Sequence, residues 1–462
     1  MSLLIVSLDN TALNVALPAL RRDLGASVSG LQWTIDAYTL VLASLLMAAG
    51  STADRIGRRK VFATGLVVFV LGSLLCSLAP SLEALVAFRM VQAVGGSMLN
   101  PVAMSIITNT FTEPAARARA IGVWGGVVGV SMAAGPLVGG LLVESVGWRA
   151  IFWLNLPVGL TALLLTLRYV PESRAPRPRR FDPVGQVLVT LLLGTLTYAI
   201  IETSGLFAGV AGVALLGILL YEPRRREPLI DLRFFRSAPF SGATVIAVSA
   251  FAALGGFLFL NTLYLQDVRG LSALRAGLYM LPMAAMTLVF APLSGRLVGA
   301  RGPRPSLLLA GAAMAAGSLL FAAFDAEAST ALLFTGYVVF GIGFGLVNAP
   351  ITNTAVSGMP RAQAGVAAAV ASTSRQIGQT LGVAVAGAVL TAGMAAVPYA
   401  HGTAGFAAAS RPVYWIITGC GLCVLVVGAL TSGGWARGTA ERTARRLGED
   451  AGPQATARAS SA

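Results

Sequence analysis

The amino-acid sequence predicts an all-α integral membrane protein with fourteen transmembrane helices. Of its 462 residues, 56% are hydrophobic and only 11% are charged, and the mean hydropathy is +0.78. Soluble domains carry roughly a quarter charged residues, and no water-soluble core could absorb this much apolar surface. Apolar runs of the roughly 20 residues that a membrane helix needs follow one another along the chain. This pattern indicates helices rather than a β-barrel.

Charged and proline-rich segments divide the chain into the predicted spans, with boundary errors of several residues expected. These spans are 1–20, 31–51, 60–79, 82–106, 117–142, 148–168, 184–202, 205–221, 239–265, 275–295, 304–324, 329–356, 362–395 and 411–432. Only eight residues precede Asp9. The first span therefore barely crosses a bilayer, as expected if the true start lies upstream.

Arginine and lysine alternate between loops as the positive-inside rule requires. With the N-terminus inside, 25 basic residues fall in inside loops and the tail, and 6 fall in outside loops. The protein is therefore predicted to lie in the cell membrane, with both termini in the cytoplasm. Because the formal charge of +14 is spread over these loops, it does not indicate nucleic-acid binding.

The ligands of a metal site and the residues of a hydrolase are scarce in this sequence. The three cysteines, Cys76, Cys420 and Cys423, all stand in apolar stretches, and His401 is the only histidine. A membrane enzyme acting on lipids would need an Asp-rich metal site or a catalytic histidine. We therefore expect no enzyme activity, no metal and no cofactor other than a proton gradient. We also expect a monomer whose partners are protons, membrane lipids and a small lipophilic substrate.

An internal repeat divides the chain into two related halves, as is common in transporters. The stretch 95–101 is echoed by 343–350, and the loop 50–60 is echoed by 295–305. The sequence thus predicts a first six-helix bundle (1–170), a region with two inserted helices (171–238) and a second six-helix bundle (239–432). The polar segment 433–462 is predicted to be a disordered cytoplasmic tail.

The loop after the second span reads Gly-Ser-Thr-Ala-Asp-Arg-Ile-Gly-Arg-Arg-Lys over residues 50–60. Positive-inside charge alone would not require the acid in this loop. The segment resembles the loop signature of the major facilitator superfamily at every fixed position: Gly50, Asp54, Arg55, Gly57, Arg58 and Arg59. The resemblance implies two six-helix bundles and a conformational latch formed by this loop. The second-half copy has Gly299 in place of the acid, so any such latch is asymmetric.

A run of small residues in the fifth span reads Ala-Gly-Pro-Leu-Val-Gly-Gly over residues 134–140. Such residues allow close helix approach, and the proline bends the helix. Packing alone would account for these properties. The positions Gly135, Pro136, Gly139 and Gly140 are also similar to the fifth-helix signature of drug:proton antiporters within the superfamily, which implies export rather than import.

Two further stretches, 8–18 in the first span and 148–159 at the sixth, resemble the fourteen-helix drug:proton antiporter family. The resemblance covers nearly the whole chain and agrees with the helix count. It implies a multidrug exporter driven by protons.

Two acids stand within predicted spans, Asp9 in the first and Asp36 in the second. An ionisable side chain at this depth usually faces a cavity or a partner, and burial favours the protonated form of a carboxyl group. Asp9 and Asp36 are therefore candidate proton-coupling or substrate-binding groups, with a hydrogen-bonded structural acid as the alternative. Arg89 in the fourth span is the candidate partner of these acids or, equally, a lock on helix packing. Candidate pocket residues are Trp33, Tyr38, Trp124 and Arg375, although aromatic residues on membrane helices more often serve packing.

These features predict a proton-coupled antiporter that exports lipophilic, including cationic, drugs or antibiotics by alternating access. The main alternative is a proton-linked exporter or importer of one specific metabolite, such as an antibiotic made by the host.

Overall fold

The computed structural model describes residues 1–111, 113–175, 181–225, 227–323, 329–356, 364–396 and 403–449. These residues form fifteen α-helices: α1 (Ser2–Leu24), α2 (Val28–Ile56), α3 (Arg58–Ser77), α4 (Leu82–Thr110), α5 (Pro114–Ser145), α6 (Ala150–Tyr169), α7 (Pro183–Ile201), α8 (Gly205–Tyr221), α9 (Ala238–Leu263), α10 (Ala273–Arg301), α11 (Pro303–Ala322), α12 (Thr330–Val356), α13 (Ala364–Ala396), α14 (Thr403–Thr431) and α15 (Gly434–Glu449). A π-helical turn, Tyr264–Val268, continues α9, and a 3-10 turn, Leu232–Arg236, precedes it.

Several helices begin at a residue whose side chain accepts a hydrogen bond from the first turn. Ser27 accepts from the Gly30 amide at 3.1 Å, and Ser81 accepts from the Ala84 amide at 3.3 Å. These caps satisfy amides that have no partner inside the helix. They fix the starts of α2 and α4, the helices that carry Asp36 and Arg89.

Twelve helices of the described chain, α2 to α4 and α6 to α14, are long and apolar enough to cross a membrane. Two helices of the predicted fourteen are missing from this set. Helix α1 carries Asp9, Arg21, Arg22 and Asp23, which lower its hydropathy. In α5, the stretch that qualifies as apolar is the shorter Ala134–Ser145. The count of fourteen spans therefore stays a prediction.

The helices pack as two bundles with an inserted pair beside them. Helices α1 to α6 contact one another through α3–α4, α2–α4, α1–α5 and α3–α6, and α9 to α14 through α9–α13, α11–α14 and α10–α12. Helices α7 and α8 pack together, and α7 lies against α2 and α13. Their side chains Val189, Leu193 and Ile218 form a small apolar cluster with Leu40 and Ala43 of α2. The pair therefore lies next to the contact between the bundles.

The repeat seen in the sequence recurs as matching local geometry. Gly57 joins α2 to α3 with φ +125°, and Gly302 joins α10 to α11 with φ +78°. Such φ values favour glycine at both joints. Gly95 of α4 packs closely on the backbone of α3, and Gly343 of α12 packs in the same way on α11. The two halves therefore use the same glycine positions for turns and close approach.

Two features differ from the sequence expectations. Helix α14 begins at Thr403 rather than near residue 411. The segment predicted to be disordered from 433 instead contains α15, whose Ala436, Ala440 and Leu447 are buried at helical spacing. Thr439 of α15 also accepts a hydrogen bond from the Ala238 amide at the start of α9, at 2.9 Å. This apolar face and the capping contact give α15 a packed position, whereas residues 450–462 and His401 lie outside the described residues.

Candidate functional site

A buried ion pair joins α1 to α4. Asp9 and Arg89 are each 0% exposed, and the Arg89 Nη1 group donates to the Asp9 Oδ2 atom. A buried charge that loses its partner costs about 3–5 kcal/mol, so the position of each side chain depends on the other. The structure thus brings together two of the candidate residues as direct partners.

Amide side chains complete the shell of the Asp9 carboxylate. Its Oδ1 atom accepts from the Asn155 Nδ2 group at 2.6 Å and from the Gln92 Nε2 group at 3.0 Å. Both amides also donate to the Ser73 hydroxyl, at 3.0 and 3.3 Å. Sequence reasoning did not assign a role to Ser73, Gln92 or Asn155. The available signal was the presence of polar side chains inside otherwise apolar spans.

Helix α2 closes the other side of this cluster. The Arg89 guanidinium carbon lies 4.1 Å from the centroid of the Tyr38 ring, and the Arg89 Nε group donates to the Thr34 carbonyl at 3.3 Å. Tyr38 is 1% exposed, so this candidate pocket residue stabilises the buried arginine through a cation–π contact. The buried polar cluster therefore ties α1, α2, α3, α4 and α6 together.

Asp36 is also 0% exposed, but neither of its carboxyl oxygens has a hydrogen-bond partner among the described residues. Gln32, one turn earlier, donates to two carbonyls of α13 at 2.7 and 3.1 Å. Thr39, one turn later, accepts from the Thr380 hydroxyl of α13 at 2.7 Å. Residues three or four apart share a helix face. Asp36 therefore lies on the face of α2 that meets the second bundle.

The small residues of α5 face helices of both bundles. A Cβ atom placed on Gly139 would lie 2.8 Å from a Cα atom of α1, and one on Gly135 would overlap a side chain of α1. On the other side, a Cβ atom on Gly140 would lie 2.6 Å from a carbonyl of α10. Gly277 of α10 approaches the Pro136 carbonyl so closely that its Cβ atom would lie 2.2 Å from the oxygen. The run identified in the sequence thus forms a glycine-lined seam between the bundles.

Polar contacts between the bundles cluster at the end that carries the α1–α2 connection, residues 25–27. We call this the sealed end, and we call the opposite end, with Met1 and α15, the termini end. At the sealed end Arg21 forms an ion pair with Asp267 at 3.4 Å, and Gln266 donates to the Val15 carbonyl at 2.8 Å. Glu144 of α5 accepts from the first turn of α10 at 3.2 Å. These contacts hold the bundles together at this end.

The α2–α3 loop at the termini end contacts its own bundle. Asp54 forms an ion pair with Arg58 at 2.9 Å. The carboxylate of Glu172, which follows α6, accepts from the Arg59 amide at 3.1 Å. A Cβ atom on Gly57 would lie 2.6 Å from this carboxylate. The loop that the sequence predicts to be a latch therefore contacts the segment after α6, which belongs to the same bundle.

Three further candidate residues, Gly50 and Arg55 of the segment 50–60 and Arg375, lie away from the Asp9 cluster. Gly50 lies against Pro101 of α4, and Arg55 is exposed. Arg375 of α13 donates to the Thr352 hydroxyl of α12. This contact of Arg375 lies within the second bundle.

The aromatic candidate Trp33 packs against the inserted helices. Its ring centroid lies 5.8 Å from that of Tyr198, and its Nε1 group donates to Glu202 at 3.0 Å. Trp33 therefore anchors the α7–α8 pair to α2. The side chain of Trp124 lies outside the residues whose side chains are described.

The second bundle has an uncharged centre at the equivalent place. In the register that aligns Gly95 with Gly343, Arg89 corresponds to Tyr337. The Tyr337 hydroxyl donates to the side-chain Oδ1 atom of Asn261 at 2.9 Å, and its ring packs against Phe257. Of these two equivalent centres, only the one in the first bundle contains an ion pair.

Comparison with known proteins identifies the family to which these bundles belong. Residues 1–383 match the family model described as the Major Facilitator Superfamily. The chain belongs to this superfamily.

Its relatives include named exporters of drugs and antibiotics. The chain is 38% identical over 410 residues to multidrug resistance protein Stp of Mycobacterium tuberculosis, covering 87% of this chain and 76% of that protein. It is 38% identical over 399 residues to the tetracenomycin C resistance and export protein of Streptomyces glaucescens, covering 84% and 74%. It is 36% identical over 398 residues to the multidrug efflux pump LfrA of Mycolicibacterium smegmatis, covering 84% and 79%.

The fold is also similar to solved structures of transporters. A bacterial homologue of the human lysosomal transporter Spinster superposes with a TM-score of 0.65 at 20% identity, covering 96% of each chain. This likeness and the family membership indicate a multi-pass membrane transporter rather than an enzyme. The named relatives support drug export.

Proposed function

We propose that this chain exports lipophilic drugs or antibiotics, including lipophilic cations, in exchange for protons by alternating access. The observation that carries the proposal is the Asp36 carboxyl group, which is fully buried without a hydrogen-bond partner in the described chain, on the face of α2 that meets the second bundle. The named efflux relatives support export, and the buried acid supports proton coupling.

A charged carboxylate near the bilayer centre costs about 2.5–3.5 kcal/mol or more. Because Asp36 has no hydrogen-bond partner among the described residues to offset this cost, we propose that it carries a proton in the arrangement with the sealed end closed. Separation of α2 from α13 at the sealed end would admit water from which the carboxyl group takes up its proton, and release on the side of the termini end would complete the exchange for an exported substrate. A proton that binds the two states differently is sufficient for a proton gradient to bias transport.

Asp9 and Arg89 have a different role in this proposal. Gln92 and Asn155 donate hydrogen bonds to the Asp9 carboxylate, and Arg89 forms an ion pair with it. We propose that the pair positions α1 against α4 and sets the electrostatic environment of the first bundle, while Asp36 exchanges the proton.

The membrane topology that we propose rests on the distribution of basic residues among the loops. We propose that α1 and α5 also cross the membrane, giving fourteen spans, and that the basic loops place both termini in the cytoplasm. The sealed end then faces the outside. We further propose that closure of the termini end exchanges the contact of the α2–α3 loop with Glu172 for a contact with the second bundle.

The names of the relatives suggest two possible substrate ranges for this chain. Some are named as multidrug pumps, whereas others are named for one antibiotic, such as the methylenomycin A resistance protein of Streptomyces coelicolor, which is 36% identical over 397 residues. This second group favours export of a single antibiotic as the other candidate function. A panel of lipophilic cations and neutral antibiotics would separate the two candidates.

The decisive experiment replaces Asp36 with Asn in proteoliposomes and compares two assays. One measures substrate accumulation driven by an imposed pH gradient of one unit, which supplies about 1.4 kcal/mol per exchanged proton, or up to about tenfold accumulation. The other measures exchange of labelled for unlabelled substrate without a gradient. We expect Asp36→Asn to abolish accumulation and to retain exchange, because exchange moves no net protons.

The matched control is Glu83→Gln, which removes an exposed acid from the first turn of α4. This control should accumulate substrate at the rate of the unmodified protein. Gradient-driven accumulation by Asp36→Asn at that same rate would reject the assignment of coupling to this acid. Failure of the unmodified protein to respond to the pH gradient would reject proton coupling itself.

A further inference from the structure

An arginine-lined cavity of about 340 Å³ lies at the termini end, between α15 and the 3-10 turn Leu232–Arg236. It takes no part in the proposed transport mechanism. Its lining consists of Arg233, Arg236, Thr439, Arg442, Thr443, Arg446 and Leu447.

The arginines that line this cavity outnumber the acidic side chains that pair with them. Arg233 forms an ion pair with Asp231 at 2.8 Å. Across the described residues, Arg236, Arg442 and Arg446 form no ion pair. Guanidinium groups match the geometry of phosphate oxygens and bind them through paired, charge-assisted hydrogen bonds. The chemistry of the lining therefore suits an anion with several oxygen atoms, such as a phosphate group.

The two walls of the cavity are fixed to the second bundle. The Thr439 hydroxyl accepts from the Ala238 amide at the start of α9, at 2.9 Å, and Leu447 is 3% exposed in the main apolar core. Phe234 in the turn is fully buried. The arginines thus project from elements whose positions are set by packing, which keeps the cavity formed without a ligand.

The location of the cavity points to a lipid as the source of the phosphate. The turn that carries Arg236 leads directly into α9, and α15 begins shortly after α14 ends at Thr431. Two aromatic side chains beside the cavity elements are exposed, Phe235 at 40% and Trp435 at 69%. Exposed aromatic residues at the ends of membrane helices are typical of the membrane–water interface.

We infer that this cavity binds the phosphate headgroup of an anionic phospholipid from the leaflet at the termini end. The bound headgroup joins α15 to the turn before α9 and so stabilises the packing of α15 on the second bundle. Basic pockets at the ends of membrane helices bind anionic lipid headgroups by this chemistry.

The experiment uses the purified full-length protein in a neutral detergent, with lipid adducts counted by native mass spectrometry. The probes are dioctanoyl phosphatidylglycerol, dioctanoyl phosphatidylcholine and inorganic phosphate. The test variant is Arg442→Gln/Arg446→Gln. The matched control is Arg437→Gln/Arg445→Gln, which removes the same charge from exposed positions of the same helix outside the cavity.

We expect the unmodified protein and the control to bind phosphatidylglycerol in preference to phosphatidylcholine, and the test variant to bind it about thirtyfold more weakly. Arg236→Gln, on the opposite wall, should weaken binding as well, and it keeps the test available if the double variant does not fold. Equal losses in test and control would show unspecific attraction to surface charge and overturn the site. Full competition by inorganic phosphate at concentrations equal to those of the lipid would overturn the assignment to a lipid.

Discussion

Replacement of Gly277 by Ala tests whether the seam between α5 and α10 controls the sealed end. The added Cβ atom would lie 2.2 Å from the Pro136 oxygen and 2.8 Å from its carbonyl carbon. Ordinary contacts begin near 3.4 Å, so the two helices must separate by about 1 Å. Overpacking of this kind costs about 1–3 kcal/mol. We therefore expect the ratio of sealed to open molecules to fall about 5- to 150-fold.

The assay measures the distance between the bundles at the sealed end by electron–electron double resonance. Spin labels on Arg22→Cys and Arg275→Cys report from exposed positions of α1 and α10. The native cysteines Cys76, Cys420 and Cys423 are replaced by Ser in this background. The unmodified seam should give a short distance, and Gly277→Ala should shift the population to a longer distance.

The matched control is Gly295→Ala on the same helix. A Cβ atom at Gly295 has no neighbour within 4 Å, so this change carries the gain in helix propensity of about 1 kcal/mol without the clash. The reasoning would be refuted if Gly277→Ala and Gly295→Ala gave the same distance distribution.

The remaining predictions concern stability and use thermal unfolding in detergent as the measurement. Arg89→Met should destabilise the protein by about 3–5 kcal/mol, because the Asp9 carboxylate loses its partner, and the double variant Arg89→Met/Asp9→Asn should recover much of this loss; no recovery would contradict the ion pair. Gly57→Ala should cost more than Gly302→Ala: both have positive φ, worth about 1–3 kcal/mol of strain, but only the Cβ atom at Gly57 would clash with the Glu172 carboxylate. Equal losses at the two glycines would indicate that the Glu172 contact contributes nothing.

Local patterns in the sequence predict the helices of this protein well. Hydropathy and charged breaks identify each long helix, because every backbone group in a membrane must find its hydrogen bond within the helix. The repeat also pairs the loop 50–60 with the loop 295–305, and in the structure each loop has a glycine with positive φ, Gly57 and Gly302. The tail was predicted less well. Helix α15 forms because an apolar face meets the second bundle, and the charged composition of the segment hides that face.

The roles of the acids depend on helix packing. The sequence places Asp9 and Asp36 in membrane helices and makes both of them candidates for proton coupling or substrate binding. In the structure, residues from α4 and α6 surround the Asp9 carboxylate with an ion pair and two amide donors. Asp36, in contrast, faces α13 with no such donor among the described residues.

The sequence by itself determined the membrane class, the helix segments, the two related halves and the resemblance to a transporter superfamily. These properties depend on hydropathy and short motifs, which are local. The tertiary structure decided which buried acid has an ion-pair partner, which helices meet at the glycine-lined seam, and where the arginines of α15 converge. Such properties depend on atoms far apart in the chain, and only packing of the helices brings those atoms within a few ångströms of one another.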